Sequence, residues 1–215
     1  MILKILLTRF FICLMLFLLE KFMNIGIDID DTLTRLIRAK HKHLKKYLKD
    51  NNMPYKIVDK KTNDYMKMVN WTNEECQQYF DQDFDFLMIE AKPRLGVKKY
   101  ITKLQKEGHK IIIITARKVP WNKEPVKMTV DWFNKYKIPY DELLTGYFDK
   151  SQIVKEKNID IFIDDRIDTL RQINNQGIKT ALMEASHNQN IPLDFDCYKL
   201  NNWKQAYKLI KTLEK

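Results

Sequence analysis

Three short apolar runs, each ending in acid or hydroxyl groups, most constrain what this chain can fold into. Residues 25–29 lead into Asp28-Ile29-Asp30-Asp31-Thr32. Lys110–Thr115, with Ile111-Ile112-Ile113-Ile114 inside it, leads into Ala116-Arg117. Residues 159–163 lead into Asp164-Asp165-Arg166. Apolar runs without alternation are the pattern of strands buried on both faces, as in a parallel sheet. Further strand candidates are Glu142–Thr145, Lys179–Met183 and residues 197–200. Val97, Ile101 and Leu104 fall at helical spacing ahead of Gly108. Val126, Val130 and Phe133 mark a second helix, Leu170 and Ile173 a third ending at Gly177, and Trp203, Tyr207 and Ile210 the last. Strands alternating with helices predict an α/β fold whose parallel sheet is covered on both faces. In such a sheet the strand carboxyl ends line the ligand crevice, so the three clusters are expected to converge.

About eighty residues separate the first and second runs, far more than one crossover requires. Residues 33–92 hold no strong strand pattern. Leu33, Ile37, Leu44 and Leu48 form one helical stripe, with Arg35, Arg38, Lys42, Lys45, Lys46 and Lys49 largely around it; residues 64–80 and 82–90 also read as helical. The expected organisation is a core of residues 23–32 and 93–215 with a small helical cap, 33–92, over the sheet. Residues 1–22 form a hydrophobic leader. Lys4 and Arg9 precede an apolar stretch, 10–19, that stops at Glu20 and Lys21. The stretch is short of the roughly 20 residues of a membrane span, and no small-x-small cleavage site follows it. The leader therefore reads as sequence upstream of a start at Met23, as an uncleaved anchor, or as a cleaved signal.

A formal charge of +10 comes mostly from scattered Lys, the pattern of a solvated basic surface. It also leaves open an attraction for anionic substrates. No nucleic-acid-binding motif accompanies it, so specific nucleic-acid binding is not expected. Cys13, Cys76 and Cys197 are too few and too far apart for a disulfide framework or a Cys-x-x-Cys site, which implies a reducing compartment.

Converging carboxylates repel one another, and a cation is expected to hold them. Hard oxygen donors suit Mg²⁺. A calcium-binding loop from Asp28 would need Gly and Glu where Leu33 and Ala39 stand. His41 and His43, two apart, point to different faces of a helix and read as surface residues. Carboxylates after strands can also simply cap helices, but three such clusters at one sheet edge favour chemistry.

Asp28-Ile-Asp30-Asp-Thr32-Leu after an apolar strand resembles the first motif of the haloacid dehalogenase-like superfamily. Thr115 resembles its second motif and Asp164-Asp165 its fourth. For the lysine of the third motif, Lys150 is the first choice, then Lys127, then Lys155. Ile-Thr-Ala-Arg at 114–117, Ile-Asp-Asp-Arg at 163–166 and His187-Asn188 are similar to the cytosolic-type 5'(3')-deoxyribonucleotidases and their bacterial relatives. The resemblance implies a Rossmann-like three-layer fold with a helical cap after the first strand, and an Mg²⁺-dependent phosphomonoester hydrolase acting on (deoxy)nucleoside monophosphates. It implies Asp28 as nucleophile, Asp30 as general acid and base, and Thr115 and Lys150 as phosphate ligands. Asp28, the Asp30 carbonyl and Asp165 would bind the metal, with Asp164 behind them.

Those nucleotidases hold the base with cap aromatics, for which Tyr65, Trp71, Tyr79 and Phe80 are the candidates here. Asp30 sets the chain apart from the dehalogenases, which lack that second Asp. A phosphatase of another metabolite, such as a sugar phosphate, is the alternative. A basic nucleic-acid-binding module on residues 35–49 and a membrane-tethered non-enzyme are more distant ones. The expected location is cytoplasmic, or membrane-anchored if residues 2–19 are retained, and a homodimer is an open expectation.

Overall fold

The computed structural model describes residues 22–53, 58–62, 65–69, 71–118 and 124–214, without the side chains of 65, 66 and 80–87. The leader stretch, Cys13, and the side chains of Tyr65 and Phe80 lie outside that description. No helix among the described residues is long and apolar enough to cross a membrane.

The apolar runs form one parallel sheet. Its strands are β1 (Asn24–Ile27), β2 (Lys110–Thr115), β3 (Glu142–Thr145), β4 (Ile161–Asp164), β5 (Lys179–Met183) and β6 (Tyr198–Leu200), in the order β3-β2-β1-β4-β5-β6. The inner strands bury both faces because their side chains alternate between two cores, while the edge strands β3 and β6 are partly exposed. Ile25, Ile27, Ile111, Ile113, Ile161 and Ile163 point into one; Ile112, Ile114, Phe162 and Leu182 point into the other. Gly26 lets the second core close up: a Cβ there would stand 2.4 Å from Cδ2 of Phe162.

Helices α1 (Leu36–Asp50), α2 (Tyr65–Val69) and α3 (Asn73–Glu90) fill the connection from β1 to β2, followed by α4 (Val97–Lys106). Next come α5 (Pro125–Tyr136), α6 (Ser151–Glu156), α7 (Ile167–Asn174) and α8 (Trp203–Leu213). Side chains of α4, α5 and α8 belong to the first core and those of α6 and α7 to the second, which makes three layers. Helices α1 to α3 build a separate cluster around Leu44, Tyr47, Met68, Trp71 and Tyr79, joined to the rest through Met128 of α5.

The chain enters and leaves this helical insertion at one place. Thr34 pairs antiparallel with Pro93, Arg35 N–H donates to the Lys92 carbonyl at 2.9 Å, and Arg94 N–H donates to the Leu33 carbonyl at 2.7 Å. The insertion is therefore tethered to the core by two short, paired segments.

Several sequence expectations shift. Ile29 lies beyond the end of β1, in the turn, and residues 159–160 precede β4. Leu33 precedes α1 and belongs to the sheet core, not to the helical stripe. On α5 the buried face is Met128, Trp132 and Phe133, while Val126 is 55% exposed in the first turn. The helix expected over residues 64–80 is two. Thr72 starts the second: its hydroxyl accepts from Glu75 N–H, and Glu75 accepts from Thr72 N–H at 2.9 Å. This reciprocal cap is legible as Thr-x-x-Glu.

Candidate active site

Strand order creates the crevice. The chain leaves β1 toward β2 and β3, then returns to β4 on the other side of β1, so connections diverge above the β1–β4 boundary. Asp28 follows β1 there, its N–H bonded to the Ile163 carbonyl at 3.0 Å, and Asp164 ends β4.

Beyond Asp28 the chain turns sharply. Asp31 adopts φ 55°, a left-handed conformation that Asp tolerates better than most residues. Leu33 N–H closes the turn on the Ile29 carbonyl at 2.8 Å. Trp203 on α8 donates its indole N–H to the Thr32 carbonyl, bracing the turn from below. Asp28, Asp30 and Asp31 all line the resulting cleft, together with Thr115, Lys150 and Asp165. Four strand ends thus bring all the expected site residues except Asp164 to the wall, and Asp164 lies directly behind.

Lys150 is the centre of the charge arrangement. Carried at the start of α6 and 3% exposed, it donates to Asp28 at 2.6 Å and to Asp164 at 2.7 Å, above the Phe162 ring. Burial alone would lower its pKa, but the two carboxylates outweigh burial and hold the ammonium above its ordinary range. The runner-up lysines sit elsewhere: Lys127 is exposed and paired with Asp131 on its own helix, and Lys155 is exposed on α6. Burial is also the main force on Asp28, raising its carboxyl well above the usual range, with Lys150 opposing and Asp164, Asp165 and Asp30 adding to the rise. Asp164, fully buried, is raised by burial too, although Lys150 and the Arg166 N–H favour its ionised form.

Asp165 is held on every side. Thr32 donates to its Oδ1 at 3.2 Å, Asn188 donates to its carbonyl at 2.7 Å, and His187 Nε2 stands 2.9 Å from Oδ2. That last approach lies off the line of a hydrogen bond, so it is a charge contact. Burial lowers the His187 pKa and Asp165 raises it, and the rise prevails. Asp31, between these groups and α1, accepts from Ile37 N–H at 3.0 Å. Burial, helped by Asp165, pushes its carboxyl to about 6.

Asp30 faces the opening and is only partly buried. Arg117 grips it in a fork, Nη2 to Oδ1 at 2.6 Å and Nε to Oδ2 at 3.0 Å, while a third nitrogen reaches Thr129 on α5. Such bidentate pairs fix orientation as well as charge. The Thr115 hydroxyl, 1% exposed, accepts weakly from the Arg117 N–H at 3.4 Å. The grip of Arg117 on Asp30 had only one trace in the sequence, the position of Arg117 two residues beyond a strand-ending Thr.

His41, His43, Trp71 and Tyr79 lie apart from this chemistry. His43 bonds the Tyr79 hydroxyl and His41 is half-buried, so neither is the freely solvated surface residue expected. Trp71 and Tyr79 are buried in the α1–α3 cluster, Tyr79 with edge-on contact to Tyr47 at 4.9 Å. They are packing residues. Cys76 is buried and Cys197 half-buried, both as free thiols.

A family model described as 5' nucleotidase, deoxy (pyrimidine), cytosolic type C protein matches residues 22–214. The candidate nucleotidase YqfW of Bacillus subtilis strain 168 is 31% identical over 186 residues, covering 86% of this chain and 91% of that protein. A solved Haemophilus somnus 129pt protein, described as a predicted phosphoglycolate phosphatase, superimposes with a TM-score of 0.63 at 17% identity, over 87% of this chain and 97% of that one. A haloacid-dehalogenase-type hydrolase of Bacillus subtilis, YfnB, solved bound to magnesium, matches with a TM-score of 0.57 at 15% identity, over 89% and 100%. These structural likenesses establish the fold.

Proposed function

The chain belongs to the cytosolic type C 5' nucleotidase family, a phosphatase-type enzyme family on the haloacid dehalogenase-like fold, and from that premise we propose an Mg²⁺-dependent hydrolysis of (deoxy)nucleoside monophosphates through an aspartyl-phosphate at Asp28. The observation that carries it is Lys150, which bonds Asp28 and Asp164 at once, across 122 and 14 residues of chain. A nucleophile, its cation and a metal-type acid pair converge there in one cleft.

The donor set fits a magnesium ion. Asp28, Asp164 and Asp165 each offer an oxygen within 4.8 Å of the others, all buried, and a single ammonium bonds two of them. Burial raises the Asp28 and Asp164 carboxyls by desolvation, and Lys150 opposes that rise. Hard oxygens in excess of cations are what Mg²⁺ binds. Asp28, the Asp30 carbonyl and Asp165 would hold it, with Asp164 behind. Bound there, the ion would supply positive charge to the phosphoryl oxygens and lessen their repulsion of an incoming carboxylate.

The chain's own groups do the rest. A carboxylate oxygen of Asp28 attacks phosphorus in line, the phosphorus–ester oxygen bond breaks, and Asp30 delivers a proton to the departing alkoxide. Water then attacks the phosphorus of the aspartyl-phosphate. Asp30 takes a proton from it, and Asp28 and inorganic phosphate are released. Lys150 and the Thr115 hydroxyl hold the phosphoryl oxygens as charge shifts between attacking and leaving atoms. Arg117 keeps Asp30 at the cleft mouth, where a leaving group exits.

The test is phosphate release from a panel of nucleoside monophosphates and sugar phosphates, with Mg²⁺ and with a chelator. Nucleotide hydrolysis that vanishes in chelator and returns with Mg²⁺ is the expected result. Full activity in chelator overturns the metal dependence, and a preference for sugar phosphates overturns the substrate class.

A further inference from the structure

Phe148 occupies an unusual place for an apolar side chain: it stands 54% exposed on the wall of the phosphate cleft, two residues before Lys150. Scattered exposed apolar side chains need no explanation, but this one shares a cavity with Asp28 and Thr115. Its position is also fixed. Gly146, at φ 88°, turns the chain after β3, and Tyr147 N–H donates to the Thr115 carbonyl at 3.0 Å, tying the loop to the end of β2. The Arg166 guanidinium carbon lies 5.0 Å from the Phe148 ring centroid, a cation–π contact that backs the ring from the β4 end. Among the described residues Phe148 is the aromatic of the cleft wall, since Trp71 and Tyr79 are buried in the insertion. Leu36, at the start of α1, also lines the cleft and gives it a second apolar wall element from the insertion side.

We infer that Phe148 is a stacking platform for the aromatic base of the substrate, so that base recognition rests on the sheet core beside the phosphate lysine. This deepens the nucleotidase reading and rests on it. A phosphoryl group held by Lys150 and Thr115 leaves the organic part of the substrate pointing out of the cleft, past Phe148. A flat π-face there accepts any base and gains nothing from a substrate that lacks one. An aromatic ring left half in water regains apolar burial when a base covers it.

The experiment compares two substrates with the same phosphate and sugar, deoxyguanosine monophosphate and deoxyribose 5-phosphate, in wild type, Phe148→Ala and Phe148→Trp. For Phe148→Ala the ratio of kcat/KM for the nucleotide to that for the sugar phosphate should fall about tenfold, the scale of one base–aromatic stack. The fall should lie in KM, and Phe148→Trp should restore the ratio. Binding of deoxyguanosine monophosphate to Asp28→Asn, with and without Phe148→Ala, should weaken by the same factor in calorimetry. Equal losses on both substrates, or an unchanged ratio, would overturn the platform while the nucleotidase reading stood. A wild type that shows no preference for the nucleotide would sink the nucleotidase reading itself, and with it the platform.

Discussion

The two ends of the sheet each bury an ionic cluster, and the clusters are built on opposite principles. At the amino end, His109 is almost wholly buried. Its Nδ1 accepts the Met23 N–H at 3.2 Å, which places the ring proton on Nε2, 2.5 Å from Glu214 Oε1. Lys211 pairs with the other oxygen of Glu214. Every group there has a partner supplied by the fold, and the cluster ties β1 and β2 to the carboxyl-terminal helix. At the carboxyl end, Asp28 and Asp164 share one ammonium while Asp165 beside them has the His187 charge contact, and burial raises the first two above their ordinary range. Incomplete neutralisation destabilises a fold, because buried charge without a full complement of partners is costly. Such an imbalance persists where a ligand supplies what is missing. The closed cluster is architecture, and the open one is where metal and phosphate are proposed to bind.

The sharpest break of this contrast is removal of the proposed nucleophile. Asp28→Asn should abolish nucleotide hydrolysis at saturating Mg²⁺, since an amide of nearly the same shape cannot form the phosphoenzyme. Its melting temperature should stay close to that of wild type or rise, because one of the crowded carboxylates is gone. Measurable steady turnover by this variant would remove Asp28 from the chemistry.

Lys150→Ala tests the same cluster from the cationic side. Loss of a preorganised donor to the phosphoryl oxygens should cost about 3 kcal/mol, or about a hundredfold in kcat/KM. Lys127→Ala and Lys155→Ala, altering exposed side chains, should stay within about twofold, the scale of surface substitutions. Lys150→Ala should also lower the melting temperature, by leaving Asp28 and Asp164 uncompensated, and Mg²⁺ should recover part of the loss. If Lys127→Ala shows the rate loss and Lys150→Ala does not, the open cluster has been placed on the wrong lysine.

How much of this was legible in the sequence follows from how each feature is encoded. Strands β2, β3 and β5 were readable to the residue, β2 because a buried parallel strand is apolar without interruption and ends at a polar group, β3 and β5 from shorter apolar runs flanked by polar residues. The acids at the ends of β1 and β4 were readable for the same reason: topology brings strand ends together, so three distant clusters could be added up. Lys150 was readable only as one of three, since a lysine in a loop has no period to locate it. Arg117's fork on Asp30 and the His187–Asp165 contact depend on side-chain reach between separate strands, which spacing does not express. On α5 the expected stripe of Val126, Val130 and Phe133 holds at Phe133 and fails at Val126, which is apolar yet sits in the exposed first turn. The insertion was readable as helical, but its aromatics could not be divided between packing and binding, since both uses want the same side chains.

The smallest effect is expected at the amino end, and it decides whether the two clusters are independent. His109→Ala removes the acceptor of the Met23 N–H and the donor to Glu214, both buried. A buried polar group without a partner costs about 1–3 kcal/mol. Glu214 keeps Lys211, so the net loss should sit near 2 kcal/mol, or about 4–8 °C in melting temperature for a chain of this size. His109→Gln, which can accept and donate with one side chain, should recover part of that. Neither variant should change kcat on a nucleoside monophosphate by more than about twofold, because β1 and β2 separate His109 from the cleft along their length. Thermal melts and steady-state rates on the same preparations read both quantities. A rate loss of tenfold without a loss of stability would mean that the amino-end cluster sets the position of Asp28 through β1, and the division between architecture and binding site would not hold.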